Sequence, residues 1–153
     1  MFNFRISGIA AGAATVGGAA QMVGFAFMSF RENGWGGLAA QGLGTSMLQM
    51  PNIIKNWKIW IPPTLTSIVL GPLAAAVFEM ENIPIAAGMG TCGLVGQIGT
   101  VTAMVTQNRD NALSVLLSIA LLHFILPALL TVAFAEYLRK IGWIKNGDLK
   151  LDL

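Results

Sequence analysis

Nine bases and seven acids are all the charge this 153-residue chain carries, and their spacing constrains the fold more than any other feature. The bases are Arg5, Arg31, Lys55, Lys58, Arg109, Arg139, Lys140, Lys145 and Lys150; the acids are Glu32, Glu79, Glu81, Asp110, Glu136, Asp148 and Asp152. Between them lie long uncharged apolar stretches at 6–30, 59–78, 82–108 and 111–135, and a more polar one at 33–54. About 20 apolar residues cross a hydrocarbon core of about 30 Å as a helix. Charged residues make up 10% of the chain, against roughly 25% in an ordinary globular domain. So little charge cannot cover the surface of a soluble fold of this size. Soluble enzyme classes are therefore excluded. The expectation is an all-α integral membrane protein, one membrane domain over 1–153, with the lipid bilayer as its surroundings. The net charge of +2 is too small and too dispersed for nucleic acid.

Three segments read as spans. Segment 111–135 is the clearest, running from Asn111 through His123 and Pro127 to Ala135. Segment 59–78 opens Ile59-Trp60-Ile61-Pro62-Pro63, and proline suits a first helical turn, where its missing N–H was unpaired anyway. Segment 6–30 is rich in small residues. Its Gly8 and Gly12 form a small-xxx-small pair that lets another helix approach closely. Ala11–Ala13 could pass for a signal-peptidase site, but the apolar run before it is too short.

Segments 33–54 and 82–108 are of another kind. The first contains Gly42-Leu-Gly-Thr45-Ser and the second Gly88-Met-Gly-Thr91-Cys, a weak internal repeat. Both are glycine-rich and carry hydroxyl and amide side chains, so they make poor lipid-facing helices. Irregular backbone at membrane depth survives only when buried in protein or lining a cavity, and broken helices of this kind form transporter sites near the midplane. The reading is therefore three to four transmembrane helices plus one or two Gly-rich re-entrant or discontinuous segments. Gln41, Thr45, Ser46, Gln49, Asn52, Thr91 and Gln97, with Gln21 from the first span, are candidate ligands for a neutral polyhydroxyl solute. The plain alternative is that they hydrogen-bond between packed helices. Glu79 and Glu81, and the mid-span His123, are weaker candidates.

Cytoplasmic flanks carry the excess of Lys and Arg. With spans at 6–30, 59–78 and 111–135, seven bases fall on one side and Arg5 and Arg109 on the other, with the C-terminus cytoplasmic. Five spans erase this bias; four can keep it. Trp35, Trp57, Trp60, Tyr137 and Trp143 stand at span ends, as interfacial anchors do. The tail 136–153 alternates apolar and basic residues and reads as an amphipathic juxtamembrane helix on anionic lipid.

Other chemistry finds no footing. Gly88-Met-Gly90-Thr-Cys-Gly93 fits the dinucleotide fingerprint only in letters, because it lacks the soluble βαβ unit around it. One histidine and one cysteine with scattered acids make no metal site. No catalytic residues and no cofactor are expected.

At Gly8–Phe30 (GIAAGAATVGGAAQMVGFAFMSF), Gly42–Asn52 (GLGTSMLQMPN), Lys58–Thr64 (KIWIPPT) and Gly88–Thr100 (GMGTCGLVGQIGT) the chain resembles a known family. It is similar to the membrane permease (IIC) subunits of the bacterial phosphotransferase system, in the branch that includes perfringolysin-regulator-like membrane proteins. Members run to roughly double this length, and the chain resembles their C-terminal half, starting abruptly at Met1-Phe2-Asn3. The resemblance implies a multi-pass protein of the bacterial cytoplasmic (inner) membrane that takes up a sugar or similar small polar solute. It implies phosphocarrier partners of the IIA and IIB types, and a second copy or the remaining half of the permease to complete the assembly. The alternative within the same branch is a non-transporting membrane regulator or sensor, for which the basic tail is the candidate partner surface.

Overall fold

The computed structural model describes residues 2–107 and 111–151, with side chains from Gly8 to Thr106 and from Asn111 to Leu151. In chain order the α-helices are α1 (Phe2–Met28), α2 (Phe30–Ala39), α3 (Met50–Lys55), α4 (Ile61–Ala76), α5 (Val95–Val101), α6 (Ala112–Ile119) and α7 (Leu126–Lys140). A widened π-turn at Ala120–Ile125 joins α6 to α7, so that Ala112–Lys140 is one 29-residue apolar helix. Pro127 follows that turn and has no N–H to give the preceding carbonyls, which is where the ladder loosens.

Three helices are long and apolar enough to cross a membrane: Gly8–Met28, Trp57–Ala76 and Ala112–Lys140. They are the three read from the charge spacing. The most apolar stretch of the first is 61% buried within the protein, against 33% for each of the others, so α1 is the central helix. It packs on both α4 and α7, which also touch each other. Exposed Ile68, Val69, Leu116, Leu117 and Leu129 give α4, α6 and α7 an apolar outer face suited to lipid. Pro62 and Pro63 occupy the first turn of α4, as expected.

The small residues of α1 serve packing within the chain. A Cβ on Gly12 would fall 1.8 Å from the carbonyl oxygen of Met80, and one on Gly24 would fall 2.7 Å from Thr131 Oγ1. The close approach read from Gly8 and Gly12 is thus made by the 80–82 segment of the same chain.

Neither Gly-rich segment forms a spanning helix. Segment 33–54 is broken into α2, a π-turn (Ala40–Gly44), a 3-10 turn (Ser46–Gln49) and α3, the longest piece being the 10 residues of α2. Segment 82–108 is broken into short turns at Pro84–Ala86 and Cys92–Leu94, then α5 and a π-turn at Thr102–Gln107. Pieces this short fall well below the ~20 residues that a span needs.

The tail departs from the single amphipathic helix expected for it. The helix stops at Lys140. Gly142 and Gly147 then adopt positive φ (77° and 99°), and the chain turns back against α2 and α3. Leu149 ends fully buried beside Phe25, Met28 and Ile59.

This docking fixes which ends share a side. Arg31 pairs with Glu136 at 3.0 Å and Arg139 with Glu32 at 3.5 Å, which ties the end of α1 to the end of α7. Asn56, just before α4, donates to Asp148 at 2.7 Å. Arg31, Lys55, Lys58, Arg139, Lys140, Lys145 and Lys150 therefore belong to one end of the bundle. Arg109 and the side chain of Arg5, read as the opposite end, lie outside the described residues. Trp57, Trp60, Tyr137 and Trp143 are all exposed at the basic end, with Lys58 Nζ 5.1 Å from the centre of the Trp143 ring.

Candidate functional site

The two Gly-rich segments enter the bundle from opposite ends and meet. Segment 33–54 starts where α1 ends and returns to α4; segment 82–108 starts where α4 ends and returns to α6. Thr91, fully buried, donates to the Gly42 carbonyl across the gap. Gly90 sits with φ +53°, and a Cβ there would fall 2.7 Å from the Gly18 carbonyl carbon. Gly18 is at the middle of the Gly8–Met28 span, so the second segment reaches mid-membrane before turning. Only glycine permits that contact, since it needs both the left-handed turn and the missing side chain. Gly42 packs on Ala26, further along α1.

Polar groups line this arrangement on both sides of the contact. In the first segment Gln41, on its π-turn, donates to Ser29 Oγ at 2.8 Å and to the Gly37 carbonyl at 3.1 Å. Gln49 donates to Gln41 Oε1 (2.9 Å) and to the Leu149 carbonyl (3.0 Å). Asn52 donates to Gln49 Oε1 (2.9 Å) and to the Lys150 carbonyl (2.8 Å). Asn33 completes the clamp, donating to the Leu149 carbonyl and accepting from the Leu151 N–H, both at 2.8 Å. Glu32 accepts from the N–H groups of Gly147 and Leu149. The amides proposed as a solute ladder thus read the backbone of the C-terminal tail in this conformation.

In the second segment Gln97 and His123 form a buried pair, Gln97 Nε2 to His123 Nδ1 at 2.8 Å. Gln97 Oε1 and His123 Nε2 have no hydrogen-bond partner within the protein. Orphaned buried polar atoms are uncommon and call for a reason. Both residues stand beside or on distorted helix: Gln97 in the short α5, His123 in the π-turn, a geometry frequent at functional sites.

The remaining candidates are scattered. Gln21 bridges α1 to α4, accepting from Trp60 Nε1 at 3.1 Å and donating towards Ser67 and Thr64. Thr45 is exposed and caps the following turn by accepting from the Met47 N–H; Ser46 begins that turn, half-buried. Glu79 is exposed, in a strained left-handed turn (φ 42°), and Glu81 lies against Gly8 at the non-basic end.

Two residues that organise the second segment were not singled out in the sequence. Asn82 donates to Thr15 Oγ1 at 2.6 Å and to the Gly96 carbonyl at 3.0 Å, tying α1, the approach strand and α5 together. Thr15 was legible as the one hydroxyl in an Ala/Gly-rich stretch, and Asn82 as the uncharged polar residue just past Glu81. Among the described residues no cluster of His, Cys, Asp and Glu could hold a metal ion.

A family model described as "Phosphotransferase system, EIIC" matches residues 2–151. The chain belongs to the EIIC family of the phosphotransferase system. No curated protein and no solved structure matches it. Membership makes this EIIC chain a membrane protein and a permease component, in keeping with its three apolar helices. The matched range takes in all three spanning helices, both Gly-rich segments and the docked tail.

Proposed function

We propose that this EIIC chain binds a sugar or similar neutral polyhydroxyl solute and passes it across a bacterial cytoplasmic membrane. One observation carries the reading: two broken, glycine-rich segments come from opposite ends of the bundle and meet at a single side-chain contact, Thr91 to Gly42. Such a barrier can open towards either side by moving one segment at a time, which is what alternating access requires. The polar groups around it are neutral amides, hydroxyls and one imidazole, which suit hydroxyl groups better than ions. Gln41, Gln49, Asn52, Thr91 and Gln97 are the proposed lining residues, with Gln21, Thr45, Ser46, Glu79 and Glu81 more remote. Phosphocarrier proteins of the IIA and IIB types are the proposed partners at the basic end. A second copy, or another permease segment, is proposed to complete the enclosure, since three helices around α1 surround little space. The regulator reading needs the basic tail as a free partner surface; the contacts of residues 147–151 with Glu32, Asn33, Gln49 and Asn52 favour the permease.

The test is uptake of radiolabelled hexoses and hexitols into vesicles that contain the chain, with phosphoenolpyruvate and the phosphocarrier proteins supplied inside. Chain-dependent accumulation of one of them supports the reading. Absence of chain-dependent uptake across the panel, with the chain folded and inserted, overturns it.

A further inference from the structure

We infer that the Gln97–His123 pair is a hydroxyl-binding subsite, the point inside the membrane domain that takes one hydroxyl group of a neutral polyol. The inference rests on the permease reading above and narrows it to two residues. Its starting point is the geometry: an amide and an imidazole 2.8 Å apart, at 8% and 0% exposure, each with one polar atom unpaired inside the protein.

The donor and acceptor count decides the ligand class. A neutral imidazole has one donor and one acceptor nitrogen, and a glutamine amide has one acceptor oxygen and an NH₂ donor. If the amide nitrogen donates to His123 Nδ1, the ring proton is on Nε2, and the pair is left with a donor (Nε2–H) and an acceptor (Gln97 Oε1). If the amide is turned round, its oxygen accepts from Nδ1–H, and the pair is left with an acceptor (Nε2) and a donor (the NH₂). Either orientation leaves one of each. A hydroxyl is itself a donor and an acceptor, so it can complement the pair whichever way the amide lies. A carboxylate or phosphate offers only acceptors, and an ammonium only donors; each would leave one of the two groups unmet in a buried place, which is costly. The subsite therefore selects neutral hydroxyl compounds over ions.

The placement supports the same conclusion. Gln97 follows the mid-membrane turn that ends in Thr91, and His123 sits mid-span in the helix Ala112–Lys140. A polar pair with unmet atoms is retained there although an apolar pair would be easier to bury. The π-turn that carries His123 adds a residue to the helix and so sets which way the ring faces.

The chain has one histidine, which gives the experiment a unique reporter. The full chain is labelled with ¹⁵N-histidine, placed in lipid nanodiscs, and titrated with glucose, mannitol and sorbitol, while equilibrium dialysis measures binding of the same three compounds. We expect a compound that binds to shift the His123 Nε2 resonance, and sodium acetate and ammonium chloride to leave it in place. We expect His123→Phe and Gln97→Leu to weaken that binding about tenfold, and His123→Gln, which restores an amide near the Nε2 position, to recover most of it. Because the wild-type spectrum reports the contact directly, misfolding of a variant does not decide the question. Binding by dialysis with an unmoved Nε2 resonance overturns the subsite and leaves the permease reading standing. No binding of any of the three compounds overturns both.

Discussion

Thr91 Oγ1 donates a 2.5 Å hydrogen bond to the carbonyl of Gly42, and this contact joins the two Gly-rich segments where they meet. Thr91→Val keeps the shape and removes the donor, leaving a buried carbonyl without that partner. We expect it to cost about 1–3 kcal/mol, read as a lower unfolding temperature in detergent, with Thr91→Ser near wild type. Equal stability of the valine and serine variants would show that the hydroxyl holds nothing together.

Gly12 and Gly17 lie on the same helix but face different surroundings. A Cβ at Gly12 would meet the Met80 carbonyl at 1.8 Å, whereas at Gly17 the nearest atom is Ser67 Cβ at 4.0 Å. Gly12→Ala should therefore force the 80–82 segment away and lower stability by several kcal/mol, on the scale of an overpacked core or worse. Gly17→Ala should be neutral or slightly stabilising, since alanine is the better helix former by about 1 kcal/mol. Thermal unfolding of the two variants side by side is the measurement.

The docked tail offers a separate test. Leu149 is fully buried, so Leu149→Ala should cost about 2–5 kcal/mol locally. Gln49→Ala and Asn33→Ala each remove a donor to the Leu149 carbonyl and should cost about 1–2 kcal/mol. The expected readout is faster hydrogen exchange and protease cleavage over residues 141–151, with the three long helices unchanged. Exchange that rises equally across the whole protein would mean that the tail is part of the global core and does not open separately.

Side-specific labelling checks the orientation. In a Cys92→Ser background, Lys55→Cys and Arg109→Cys should react with an impermeant maleimide from opposite faces of the membrane, position 55 from the cytoplasm. Reaction of both from one face would contradict the three-span arrangement.

Much of the architecture was written in the spacing of charges. The three spans needed only the gaps between Arg31, Lys58, Glu79 and Glu136, because a bilayer fixes the length of an apolar helix. The break-up of 33–54 and 82–108 was legible from glycine content. The destination of their polar groups was not. Gln41, Gln49 and Asn52 look in sequence like ligands awaiting a solute, yet their partners in this conformation include backbone atoms of Leu149 and Lys150, about a hundred residues on. Backbone carbonyls are the same at every residue, so such contacts leave no trace in side-chain identity. The tail was misread for a related reason: its apolar and basic alternation hides Gly142 and Gly147, whose positive φ turns the chain back. Gln97 and His123 were each noticed alone; what joined them was the π-turn, which no periodicity of 3.6 anticipates.

That π-turn also bears on how the family can vary. One surplus residue in Ala120–Ile125 sets the phase of everything after it, including Thr131, which donates to Thr66 at 2.9 Å, and Arg139, which reaches the Met28 carbonyl at 3.0 Å. Losing a single residue there would restore an ordinary helix and swing α7 by about 100°. Thr131 would then face away from α4, and the buried guanidinium would be carried off its carbonyl and carboxylate partners. Along this lipid-exposed helix, drift in side-chain identity is cheap over much of the surface, while drift in length is barred. Relatives that keep this fold should therefore vary in letters but not in count between Asn111 and Arg139.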